Sequence, residues 1–250
     1  MVSFDDPVML AVVAAVMIAA GIVKGVVGLG LPLVIVGVLS IFLPIKAVLG
    51  VLILPLMVTN IWQVIEVRGT LAPLRRFWPL LIMMLLGLGI GAQLLVRLDP
   101  SWLYLIVGVI VTAFTVMGFL RPAMRLPDRL EKPAGIVIGG LAGVCGGLGG
   151  VWGPPITMYL LALDLKKDDF IGTVGLIWFL GALPLGLFYT AHGIVGSHNV
   201  LYSAAACIPA VLGLWLGQKI RERIPQDSFK KVLMVTLFLI GINLIRRAFF

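Results

Sequence analysis

The residues best suited to chemistry in this 250-residue chain are one lysine and two glycine-proline breaks, all set in apolar sequence. Lys24 lies between Gly21 and Gly25 in the run GIVKGVVG. A charged side chain at the centre of a bilayer costs about 2.5–3.5 kcal/mol on insertion scales, so a lysine kept there is a functional candidate by default. The first break follows at once, Gly28-Leu29-Gly30-Leu31-Pro32. The second runs from Gly146 through Gly147, Gly149, Gly150, Val151, Trp152, Gly153 and Pro154 to Pro155, with Thr157 and Tyr159 just beyond. Glycine removes the Cβ that blocks close approach and permits positive φ. Proline suits the first turn of a helix, where its missing N–H has no intrahelical partner anyway. Each break therefore reads as a glycine loop followed by a helix start, and free N–H groups at a helix N-terminus favour an anion. The expected substrate-binding set is Lys24, Gly28, Leu29, Gly30, Leu31, Pro32, Gly147, Gly149, Gly150, Val151, Trp152, Gly153, Pro154 and Thr157. Competing uses are close helix packing for Gly21-xxx-Gly25 and Gly139-xxx-Gly143, and a Lys24 side chain that snorkels to a surface.

Other polar residues are weaker pointers. Asn60, Gln63 and Glu66 recur at helical spacing. The first two, with Tyr159, are pathway candidates, while Glu66 beside Arg68 reads as an interfacial pair. Cys145 and Cys207 lie in apolar segments with no metal-ligand spacing and no disulfide framework, and Cys145 reads as a small packing residue. Asp168 and Asp169 suit a helix start. His192 and His198 are not spaced for a metal. The chain carries no nucleotide-binding loop, no HExxH and no GxSxG, so an enzyme is not expected and no cofactor is implied.

These residues need elements to hold them. The chain is 61% hydrophobic and 12% charged, against about 45–50% and 25% in soluble domains. Uncharged runs such as 78–96 and 103–120 have the length of a membrane-spanning helix, and the alternating pattern of a membrane β-barrel is absent. The expected fold is an all-α polytopic membrane protein, because a helix satisfies its own backbone in lipid. The net charge of +8 sits at span ends, which fits orientation in a membrane and not nucleic-acid binding. The N-terminus does not read as a signal peptide, since Asp5 and Asp6 stand where basic residues belong.

The polar stretch 121–133 separates a first half, 1–120, from a second, 134–250, with a weak internal repeat across it. Gly21, Gly25 and Gly28 match Gly139, Gly143 and Gly146 at constant offset, and Gly91–Leu98 resembles Gly217–Ile224. Each half offers three ordinary spans, 45–67, 77–96 and 102–120, then 170–191, 200–220 and 229–245. Each also opens with a broken segment, 7–43 or 134–163. If each broken segment crossed once, nine basic residues would fall on either side. If each enters and returns, fourteen fall on one side and only Lys46, Arg97, Arg246 and Arg247 on the other. The positive-inside rule favours the second arrangement. Its consequence is two inverted repeats of three transmembrane helices plus a re-entrant segment, with 121–133 a cytoplasmic loop and both termini outside.

The duplicated signature, GIVKGVVGLGLP at Gly21–Pro32 and GGLAGVCGGLGGVWGPP at Gly139–Pro155, resembles that of the sulfite exporter TauE/SafE family of membrane permeases. Leu29, Leu31, Val151 and Trp152 depart from a glycine-richer family pattern. The resemblance implies transport of small sulfur-containing anions such as sulfite, thiosulfate or an organosulfonate. Combined with the repeats, it leads to an expected bacterial inner-membrane secondary transporter. It would export the anion from a midplane site between the two breaks, by alternating access, coupled to a proton, a sodium ion or the membrane potential. The alternatives are an anion channel of the same fold and a membrane-embedded sulfur enzyme using Cys145.

Overall fold

Long apolar runs leave the backbone little to bond but itself, and helices follow. The computed structural model describes residues 7–39, 41–66, 72–95, 125–149, 152–191, 193 and 197–249, with single positions between 102 and 116. Among these residues every regular element is a helix. They are α1 (Pro7–Val27), α2 (Leu31–Leu39), α3 (Ile45–Glu66), α4 (Ala72–Leu95), α5 (Asp128–Gly149), α6 (Gly153–Ala162), α7 (Lys167–Ala191), α8 (Ser197–Glu222) and α9 (Gln226–Phe249). Among the described residues, α1, α3, α4, α7 and α8 are long and apolar enough to cross a membrane. The expected spans 45–67, 77–96, 170–191 and 200–220 appear as α3, α4, α7 and α8, while 229–245 falls within α9, a helix that is not among those five. The span expected at 102–120 lies mostly outside the described residues.

Both opening segments split into a long and a short helix at the glycines: α1 then α2, and α5 then α6. α5 starts at Asp128, inside the polar stretch 121–133, and carries Asp128 and Glu131 in its first turn. Acidic side chains there face the positive end of the helix dipole. Asp168 and Asp169 hold the same place in α7.

The helices form two compact units that do not coincide with the sequence halves. The first unit comprises Met1–Gly69 and Ile171–Pro225. In it α1 and α8 lie backbone to backbone. A Cβ on Gly21 would stand 2.3 Å from the Ala210 oxygen, and one on Gly25 would stand 2.3 Å from the Leu214 oxygen. In return a Cβ on Gly213 would stand 2.1 Å from the Ile18 oxygen, and one on Gly217 2.3 Å from the Ile22 oxygen. The residue numbers rise together, so α1 and α8 run parallel. α3 also runs parallel to α8, since Ser203 reaches Val51 and Leu54 while Gln218 meets Trp62. α7 runs against α3, with Gly175 beside Asn60 and Gln63, and Gly186 beside Ile53 and Met57.

Ser203 repairs a defect in α3. Pro55 has no N–H to give the carbonyl four residues back. The Ser203 hydroxyl donates to that Val51 oxygen at 2.8 Å, and its oxygen accepts from the Leu54 N–H at 3.1 Å.

The second unit comprises Thr70–Phe170 and Gln226–Phe250, and it uses the same packing device. α4 and α5 run parallel, with Cβ positions on Gly139, Gly143 and Gly147 falling 2.3, 2.1 and 2.3 Å from the oxygens of Leu80, Met84 and Leu88. Arg76 and Glu131 clamp the two helix starts through a two-point ion pair of 2.6 and 2.9 Å. α6 folds back along α5: Trp152 lies over Gly146, and the Tyr159 hydroxyl donates to the Glu131 oxygen at 3.0 Å. The chain then returns to its starting point. The Leu126 N–H reaches the Ala162 oxygen at 2.9 Å, and Arg125 pairs with Asp164.

Candidate functional site

In the first unit the break is built from the end of α1, the start of α2 and the last two turns of α3. The Gly28 N–H closes α1 on the Lys24 oxygen at 2.7 Å, and the Val34 N–H opens α2 on the Gly30 oxygen at 3.0 Å. Gly28 and Gly30 take φ of +85° and +103°, a region open to glycine and strained for other residues. Pro32 stands in the first turn of α2, where it was expected. Leu29, Leu31 and Pro32 are buried.

Lys24 is fully buried. Among the described residues its hydrogen-bond partner is a neutral one, Oδ1 of Asn60. Its place in the last turn of α1 puts the ammonium near the negative end of the helix dipole, which offsets part of its burial cost. Asn60 and Gln63 are also fully buried. Gln63 Nε2 donates to the Gly28 oxygen at 3.2 Å. Two atoms are left over, Asn60 Nδ2 and Gln63 Oε1, each buried without a hydrogen-bond partner among the described residues. A buried polar atom in that condition costs about 1–3 kcal/mol, so the pair is a departure from ordinary packing that calls for an explanation.

Arg221 joins this group from α8. The residue is 2% exposed, and its guanidinium donates to the Gly25 oxygen at 3.0 Å. That carbonyl belongs to the last turn of α1, where basic side chains satisfy freed oxygens. Sequence reasoning read Arg221 only as a charge at a span end. Its signal was available, because Gly213, Gly217 and Arg221 recur every four residues on the face that meets α1. Gln218, 5% exposed and hydrogen-bonded to Trp62 at 3.2 Å, was missed for the same reason.

Register places the break near one end of these helices. Gly28 lies beside Gln63, three residues before α3 ends, and Lys24 beside Asn60, six before it. At 1.5 Å per residue the lysine head is about 9 Å from the helix end.

The second set of expected site residues falls in the second unit. Gly147 faces α4, and Gly149 ends α5. Gly150 and Val151 lie outside the described residues. Trp152 is 1% exposed and packs on Gly146. Gly153 begins α6 with Pro154 in its first turn. Thr157 is fully buried, and its Oγ1 lacks a partner among the described residues. Tyr159 is engaged with Glu131. Cys145 is buried within α5, consistent with packing. Among the described residues no cluster of His, Cys, Asp and Glu is arranged to hold a metal. The first unit also has a cavity of about 360 Å³, lined by Ile53, Met57, Leu183, Leu187 and Ser203 among others. Its lining is mainly apolar, and its two hydroxyls, on Ser203 and Thr190, already donate to the Val51 and Gly186 oxygens.

A buried lysine and unpartnered amide groups at a glycine break, inside helices of membrane-spanning length, suit a transporter. The family model for the sulfite exporter TauE/SafE matches residues 13–244. The chain belongs to this family. Its members are membrane transporters, so the chain is a multi-pass membrane permease whose substrate class is a small anion. No individually curated protein and no solved structure matches it significantly.

Proposed function

We propose that the protein is a secondary transporter that exports a small sulfur oxyanion or sulfonate, and that the anion is held beside Lys24 at the first glycine break. The observation that carries this reading is Lys24 itself, fully buried against a neutral amide with unpartnered polar atoms next to it. An anion would supply the missing counter-charge and partners for those atoms. Leu29, Gly30 and Leu31 would add free N–H groups at the α2 start, while Pro32, which has none, sets its first turn. The second break, with Thr157 and the start of α6, is a similar element in its own unit. By helical register the site lies about 9 Å from the end of α3.

The inverted architecture has three supports. α1, α3 and α8 run parallel, so α2 must bring the chain back before α3 starts. The stretch from Arg125 to Asp164 starts and ends at one place. α3 and α7, equivalent spans of the two halves, run in opposite directions. A carrier is favoured over a channel because Lys24, Asn60 and Gln63 are closed to solvent in this state, so passage needs a rearrangement. The chain would sit in a bacterial inner membrane with both termini outside. Export would draw on the membrane potential, which alone drives anions out, or on an ion gradient. Proteoliposomes preloaded with sulfite, thiosulfate or a sulfonate test this: saturable counterflow of at least one is expected, and its absence for all of them would refute the substrate assignment.

A further inference from the structure

Two atoms of the cluster have their identity set by what faces them. The Gly28 oxygen can only accept, so the Gln63 amide turns its NH₂ toward it and leaves Oε1 as the free atom. The Lys24 ammonium can only donate, so Asn60 presents Oδ1 to it and leaves Nδ2 free. The result is one unused donor and one unused acceptor, both buried. They sit three residues apart on one face of α3, where Cβ atoms are about 5–6 Å apart.

A site for a bare oxyanion needs donors only. An acceptor aimed at such an ion repels it and stays unsatisfied. We infer that this site takes an anion bearing both an acceptor oxygen and an X–H donor, such as hydrogen sulfite or a hydroxysulfonate, and disfavours anions that only accept. In this arrangement Lys24 supplies the charge, Asn60 Nδ2 donates to an anion oxygen, and Gln63 Oε1 accepts the ligand's O–H. The inference rests on the anion site proposed above and adds the ligand's hydrogen to it. Sites that hydrogen-bond a ligand hydroxyl reject analogues lacking it strongly, because their own buried group is then stranded.

Methanesulfonate and hydroxymethanesulfonate make the test at one pH. Both are monoanions of similar size, and only the second carries an O–H. Calorimetric titration of the full-length protein in detergent should give hydroxymethanesulfonate at least about tenfold tighter binding, equivalent to about 1.4 kcal/mol. In Gln63→Met the preference should fall to within about twofold while methanesulfonate affinity stays within a few-fold. Equal affinity of the two ions for the wild-type protein would overturn the inference while leaving the anion site standing. So would a preference that survives Gln63→Met. If that variant does not fold, the wild-type comparison alone decides. Binding of neither ion would overturn the inference, and sulfite counterflow then decides whether the anion site itself stands.

Discussion

Lys24 is buried where neither water nor, among the described residues, a carboxylate receives its charge. A lysine kept for structure would lower stability when replaced, whereas replacing an unpaired buried charge by an apolar side chain is often neutral or stabilising. Lys24→Met should therefore leave the melting temperature unchanged or raised and cut sulfite transport by at least about tenfold, measured on the same purified protein. Ser203 is the opposite case. Ser203→Ala strands the Val51 oxygen beside Pro55, and a loss of about 1–3 kcal/mol is expected, read as a lower melting temperature with transport per folded molecule retained. Lys24, Asn60 and Gln63 were legible in the sequence because a polar residue inside an apolar run has no inexpensive reason to be there. Arg221 was not, because it stands among Lys219 and Arg223 at a span end. Only its register against Gly213 and Gly217 distinguishes it from them.

At the scale of elements, the glycine stripes are the joints. On α4, Gly87 and Gly89 are two residues apart and face opposite conditions. A Cβ on Gly87 would stand 2.4 Å from the Gly140 oxygen, while one on Gly89 would meet nothing within 4 Å. Gly87→Ala should destabilise by about 1–3 kcal/mol, the usual cost of overpacking. Gly89→Ala should be neutral or stabilise by up to about 1 kcal/mol through helix propensity. Thermal unfolding of the two variants in the same detergent checks both signs. The breaks themselves were legible, since glycine and proline punctuate the chain at known cost. Which helix each stripe meets was not. Spacing marks a small-residue face on α1, but its pairing with α8 depends on the whole arrangement.

On the scale of the whole molecule, each compact unit mixes elements from both sequence halves, which no repeat offset foretold, because the halves are a fact of chain order and the units a fact of packing. The enter-and-return path makes a topological prediction. In a background without Cys145 and Cys207, Arg129→Cys and Lys166→Cys should both react with an impermeant thiol reagent from the cytoplasmic side only, and Ser3→Cys from the outside only. Labelling of Arg129→Cys and Lys166→Cys from opposite sides would mean that the second opening segment crosses once. The central claim, an anion carried at a buried lysine, is tested most directly by sulfite counterflow in proteoliposomes containing equal amounts of wild-type and Lys24→Met protein. The account predicts saturable counterflow for the wild type and at least about tenfold less for the variant, while undiminished counterflow in Lys24→Met would contradict it.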